Sequence, residues 1–212
     1  MIGDSVIARV RETGKSHADE VLGMVESVLA EAGAALGSLD AIAASVGPGA
    51  FTGVRVGVAV AQGLAFGADL PVVPIMTLES LAFRAVAAGA PRVLVCLDAR
   101  MGEVYWGCFR ADASRGVTLE GTARVGPPDT VAGEGRGLYR GIGKGFSAYP
   151  SLAVLTAVDL RGEDADALPD AREGTALAAL RLKAGEAIDA GQLNPVYLRD
   201  KVALTEAERA GK

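Results

Sequence analysis

Apolar residues follow two spacings along this chain, and the switch between them outlines the elements. In residues 5–11, Val6, Ala8 and Val10 alternate with Ser5, Ile7, Arg9 and Arg11, the period of a half-buried strand. From Ser16, a helix cap, to about Ala32 the spacing turns helical. Val21, Leu22, Val25, Val28, Leu29 and Ala32 share one stripe, Asp19 and Glu20 sit where the helix dipole favours acids, and Gly33 ends the helix. A short apolar strand at 41–46 leads into the loop Gly47-Pro48-Gly49-Ala50-Phe51-Thr52-Gly53. A helix follows to about Phe66 and is closed by Gly67. Residues 70–75 read as a strand, Thr77 caps a helix to Ala88, and 92–98 is strand again. Strands alternating with helices imply parallel pairing with right-handed crossovers.

Beyond Asp98 the rhythm changes. Residues 103–110 and 117–125 read as successive strands joined by short glycine-containing turns, which makes this part antiparallel. Residues 126–170 are rich in glycine and proline and carry weak periodicity. A last helix is predicted over 173–187, followed by an extended tail over 192–204 with Pro195 inside it. The second half thus opens with three strands and the first with one. If the halves are copies of one unit, two strands are missing from the front of the first.

Two helices carry more than one buried face requires. The first spends Leu22, Met24, Val25, Val28 and Leu29 on a stripe wider than a single contact needs. In the second, Gly53, Gly57, Ala61 and Ala65 recur every fourth residue, a flat ridge on which another helix can approach closely. The same ridge fits packing on its own sheet equally well.

Half of the 212 residues are apolar, which excludes a disordered tail or linker. The balance of 21 basic and 26 acidic residues, net −5, argues against nucleic-acid binding by bulk charge. Cys96 and Cys108 form no metal or disulfide pattern, and their low number suits a reduced interior. The uncharged runs 41–54 and 145–158 are too short to span a bilayer, and Met1-Ile2-Gly3-Asp4 shows no signal pattern. The expectation is a soluble cytoplasmic protein.

Candidate chemistry is sparse. A glycine-rich turn from strand to helix presents backbone N–H groups to phosphate. Here, however, Val54 and Arg55 follow Gly53 where a P-loop has lysine and a hydroxyl, and Pro48 removes a donor. A tight turn with Thr52 as cap accounts for the same residues, and both readings stand. His17 is the single histidine, too few for a metal site, and no serine nucleophile motif is present. Asp98 stands at a strand end, where open α/β sheets place functional carboxylates; the alternative is that it ties down its turn. The cluster Gly141-Ile142-Gly143-Lys144-Gly145 offers a weak phosphate cradle, and Tyr105 and Trp106 read as the two faces of one strand.

The run Gly47-Pro48-Gly49-Ala50-Phe51-Thr52-Gly53-Val54-Arg55-Val56-Gly57, with Ala61-Gln62-Gly63-Leu64-Ala65, Pro71-Val72-Val73 and Thr77-Leu78-Glu79-Ser80-Leu81, resembles the signature of the TsaB (formerly YeaZ) family. So do Asp98-Ala99-Arg100 with Gly102-Glu103-Val104-Tyr105-Trp106, His17 at the first helix, and the tail Pro195-Val196-Tyr197-Leu198-Arg199-Asp200-Lys201-Val202-Ala203. These are the bacterial tRNA threonylcarbamoyladenosine biosynthesis subunits of the glycoprotease-like family, and the similarity covers most of the chain.

The resemblance implies an actin/Hsp70-like (ribonuclease H-like) α/β fold of duplicated subdomains, here 1–90 and 91–212. On this reading the first lacks its first two strands, through a misassigned start or a truncation. The loop missing with them binds phosphate in catalytic relatives, so independent ATP hydrolysis is not expected. The implied role is a non-catalytic scaffold with no catalytic residue, metal or cofactor of its own. It pairs with the related catalytic subunit TsaD, which carries the histidine metal site, and acts with the ATPase TsaE. Together they place a threonylcarbamoyl group on N6 of adenosine 37 in tRNAs reading ANN codons, and tRNA is met only through the complex. Pairing in the family resembles a four-helix bundle of the first two helices of each subunit. That assigns docking to Leu22, Met24, Val25, Val28, Leu29, Gly53, Gly57, Ala61 and Ala65, with Gly47, Pro48, Gly49, Phe51, Thr52, Gly53 and Arg55 as the signature loop. A homodimer through the same helices and a nucleotide at the partner joint stay open. The competing reading is a stand-alone enzyme of the same fold, a peptidase or small-molecule kinase.

Overall fold

A computed structural model describes residues 1–3, 5–11, 17–134 and 137–199, without the side chains of 17–19. The elements run α1 (His17–Ala32), β1 (Ile42–Ser45), α2 (Phe51–Ala68), β2 (Val72–Ile75), α3 (Thr77–Ala87), β3 (Arg92–Arg100), β4 (Glu103–Asp112) and β5 (Gly116–Gly126). They continue with β6 (Arg140–Ile142), α4 (Gly145–Ala148), α5 (Ser151–Thr156), β7 (Asp159–Leu160) and α6 (Ala171–Lys183). Strands β1 and β2 form a parallel pair, and a mixed sheet of five runs in the order β5-β4-β3-β6-β7. In it, β3, β4 and β5 are antiparallel, while β6 and β7 lie parallel to β3.

Strand β3 explains the layering. Val93 to Leu97 are all buried, the continuous apolar run of a strand covered on both faces. Val93, Val95 and Leu97 point to a core shared with Leu78 and Leu81 of α3, Leu177 of α6, and Val73 and Ile75 of β2. Leu94 and Cys96 point the other way, to Trp106, Phe146 and Leu152 beneath α4 and α5. Helices α3 and α6 therefore lie between the two sheets, so this core crosses the 90/91 boundary. The third core sits under α2, where Val58, Ala61 and Ala65 meet Ala44, Val46 and Val72.

The structure corrects several expectations. Residues 6–11 join no ladder; Ser5 only bridges Ile2, and Val6 and Val10 are 42% and 72% exposed. Alternation marks which face would be buried, but neither sheet reaches this segment. Thr52 lies inside the first turn of α2, whose N-cap is Ala50 with no side-chain cap. The helix ends not at Gly67 but on Asp69 in the left-handed conformation (φ 54°, ψ 46°). Helix α3 is capped not by Thr77 but through Met76, whose N–H donates to Glu79 Oε2 at 2.8 Å. Helix α6 stops at Lys183 before Gly185 at φ +76°, four residues earlier than its spacing suggests. The expected cap Ser16 and the tail beyond Arg199 lie outside the described residues. Within 126–170 the structure places β6, α4, α5 and β7.

Candidate partner-docking surface

Helices α1 and α2 face each other across β1, and α1 is left without a core. None of residues 20–32 is buried. Leu22 is 49% exposed, while Met24, Val25, Val28 and Leu29 are half-buried. A groove of about 410 Å³ runs between the helices, with Val21 and Val25 on one wall, Gly53, Gly57 and Ala61 on the other, and Ile42 on its floor.

The small-residue ridge divides. Gly57 is exposed, and a Cβ there would meet nothing within 4 Å; Gly53 is half-buried. Ala61 and Ala65 are only 6% and 1% exposed and pack in the chain's own third core with Ala190 and Leu193. The surface open to another molecule is therefore the α1 stripe with the N-terminal half of the α2 ridge.

The signature loop folds as a tight turn. Gly47 takes φ +96°, a side chain there would press to 3.1 Å from the Val196 carbonyl, and the Gly47–Pro48 peptide is cis. The Gly47 carbonyl accepts from Thr77 N–H at 2.8 Å, and the Val46 carbonyl accepts from Val196 N–H at 2.7 Å. Phe51 and Arg55 project from the first turns of α2. The Arg55 guanidinium stacks 3.7 Å above the Phe51 ring and donates through Nε to the Tyr197 hydroxyl at 2.7 Å. Tyr197 was legible only as part of the family-like tail; nothing in its spacing tied it to the loop.

Asp98 ties down its turn. Its Oδ1 accepts from Arg100 N–H at 2.8 Å and its Oδ2 from the Arg100 guanidinium at 3.3 Å. Arg100, Met101 and Gly102 are successively left-handed (φ 61°, 57° and 78°). A cavity of about 190 Å³ separates this turn from the signature loop, closed by residues 196–199.

The other candidates are structural. In the glycine cluster, a Cβ on Gly143 would lie 2.3 Å from the Cys96 carbonyl oxygen and one on Gly145 2.8 Å from the Cys96 carbonyl carbon. Those glycines let α4 close on β3, and the amides of Gly143 and Lys144 donate to the Asp164 and Ala167 carbonyls. Cys96 and Cys108 are free and buried, and burial pushes both thiols up, away from the reactive thiolate. Trp106 is buried, and Tyr105 packs against the opposite core. Among the described residues, no three His, Cys, Asp or Glu side chains gather as a metal would require; the side chain of His17 lies outside them. Helix α2 is long and apolar enough to cross a membrane by length and composition alone. Of its apolar residues Val58, Ala61 and Ala65 are buried in the third core, while Phe51 and Phe66 are exposed, and Gln62 donates to the Ala190 and Leu193 carbonyls at 3.2 and 3.0 Å.

The family described as TsaD, tRNA N6-adenosine threonylcarbamoyltransferase, matches residues 8–125. The Escherichia coli tRNA threonylcarbamoyladenosine biosynthesis protein TsaB is 37% identical over 193 residues, 89% of this chain and 83% of its own. Its Haemophilus influenzae namesake is 36% identical over 198 residues, 89% and 82% of the two chains. The chain belongs to the TsaB (YeaZ) family. Solved structures agree: YeaZ from Pseudomonas aeruginosa superposes with a TM-score of 0.76 at 42% identity, over 86% of this chain and 85% of that one. A Pseudomonas aeruginosa crystal structure described as similar to the peptidase YEAZ gives 0.78 at 41% identity, over 87% and 85%. For a TsaB-family chain, the α1–α2 groove and the tail-pinned signature loop are the two features that its own cores leave to be explained.

Proposed function

We propose that this chain is the non-catalytic scaffold subunit of the bacterial complex that forms N6-threonylcarbamoyladenosine at position 37 of tRNAs reading ANN codons. It docks a TsaD-like catalytic subunit through α1 and the N-terminal half of α2, works with a TsaE-like ATPase in the cytoplasm, and meets tRNA only through the complex. The observation that carries this reading is α1, which places Leu22, Met24, Val25, Val28 and Leu29 at helical spacing yet buries none of them. An apolar run left exposed or half-exposed on a surface helix is a face suited to a partner. Family membership supplies the partner. Without that partner, the same helices are the contact for a second copy, and a nucleotide belongs at the joint between subunits rather than on this chain alone.

The element order supports the duplicated, actin-like reading with its boundary near 90/91. In the first half a parallel pair joined by a helix, β1-α2-β2, is followed by α3; in the second, β6 and β7 are joined by α4 and α5 and followed by α6. The second half carries three further strands ahead of that pair.

The test is reconstitution. Purified chain with tRNA and threonylcarbamoyl-adenylate is expected to show no transfer above a no-protein control, and to raise transfer when a TsaD-like subunit and its ATPase are added. Transfer, ATP turnover or metal-dependent peptidase activity by the chain alone would overturn the scaffold reading in favour of a stand-alone enzyme.

A further inference from the structure

After α6 the chain doubles back and visits both halves in turn. Ile188 exchanges two backbone hydrogen bonds with Val72 at the start of β2, both 2.8 Å. Ala190 and Leu193 then enter the core under α2, where the Gln62 amide grips both carbonyls. Val196 N–H donates to Val46, and Tyr197 receives Arg55 while its ring lies 6.0 Å from that of Phe51. Arg199 crosses to the β3–β4 turn, donating to the Ala99 carbonyl at 3.2 Å and to Glu103. The contacts thus join the signature loop and the first turns of α2 to the left-handed turn of the second sheet.

We infer that residues 188–199 are a strap that sets the position of the α2 N-terminus, with Tyr197 and Arg199 as positioning residues for partner docking. The part about docking rests on the function proposed above. The physical ground is that α2 begins on Ala50 with no side-chain cap and follows a loop of small residues. Such an end has little of its own to hold it. Phe51 and Arg55 acquire a fixed place from Tyr197, and Arg199 fixes the strap beyond Tyr197. Gly53 and Gly57, which face the groove, lie on the same turns of helix.

Hydrogen exchange on the free chain reads the strap without any partner. In Tyr197→Ala and Arg199→Ala, the amides of Val54 and Thr77, which bond to the Ala50 and Gly47 carbonyls, should exchange about tenfold faster, the scale of one hydrogen bond to a charged group. The amides at the middle of the β3–β4 ladder, where Leu94 pairs with Cys108 away from the Arg199 contacts, should keep the parent's rates, which also shows that each variant is folded. Arg199→Lys, which keeps the charge, should recover most of the protection, and Tyr197→Phe should give a smaller loss than Tyr197→Ala. Unchanged exchange at Val54 and Thr77 overturns the strap. Faster exchange with unchanged affinity for a TsaD-like subunit overturns the positioning role. Faster exchange with weakened affinity supports both. A parent chain that binds no such subunit fails the proposed function, and the exchange rates then judge the strap alone.

Discussion

Glu79 holds two elements with one carboxylate. Its Oε2 accepts from Met76 N–H, capping α3, and from Arg181 of α6 at 3.0 Å; its Oε1 accepts from the other guanidinium nitrogen at 2.7 Å. Both side chains are nearly buried, 12% and 7% exposed, and Arg181 Nε has no partner among the described residues. Removing one member of such a pair leaves a charge stranded in a poor solvent for it. Glu79→Gln should therefore lower unfolding free energy by about 3–5 kcal/mol, the usual cost of breaking a buried pair. Urea denaturation of the two proteins at neutral pH checks this, and a loss below about 1 kcal/mol would mean the pair is effectively solvated. The sequence showed Glu79 only as part of a family-like run; that it reaches a residue on α6 follows from the two helices sharing the space between the sheets.

At the scale of elements, legibility followed the length and purity of the apolar pattern. Strands β3, β4 and β5 and helix α3 were readable within about two residues, because each buries a run long enough to show a period. Strands β6 and β7 were not, being three and two residues long. In β6 the first residue is Arg140, buried against Asp164 at 2.7 Å, so a polar residue occupies a core position. Residues 5–11 erred the other way, showing a strand's alternation with no sheet to receive it. The α2 ridge was found as small residues, but spacing cannot say that Ala61 and Ala65 meet Ala190 and Leu193, more than a hundred residues away. The β4–β5 turn was read only as a short glycine-containing turn, and Asp112, the side chain that builds it, was not singled out. Asp112 accepts from the Arg115 and Ser114 amides and from the Ser114 and Thr118 hydroxyls, at 2.9 to 3.0 Å. These bonds, the Arg115 amide foremost, hold its carboxyl well below its ordinary value of 3.8. The folded pKa is depressed, so the stabilisation is complete above 3.8 and fades as pH falls from there toward the folded value. The stability gap between the parent and Asp112→Ala should accordingly narrow between about pH 7 and about pH 3. A gap of constant size in urea titrations at the two pH values would contradict the assignment.

For the whole molecule, three cores account for both sheets and for all of the described helices except α1, whose apolar stripe is spent on no core. We propose that this stripe, with the open end of the α2 ridge, receives a TsaD-like catalytic subunit. Ala61 is unsuited to test it, because an arginine there would break the chain's own core. Gly57 is suited, since a Cβ at that position meets nothing in the free chain. The decisive measurement is the affinity of a TsaD-like subunit for the parent and for Gly57→Leu, by calorimetric titration. Lys144→Ala, at an exposed site beside α4, serves as the control, and circular dichroism confirms that each variant is folded. Gly57→Leu is expected to weaken binding about 5- to 150-fold, the effect of roughly 1–3 kcal/mol of overpacking, while Lys144→Ala binds as the parent does. Folded Gly57→Leu protein that binds the subunit as tightly as the parent would contradict the proposal.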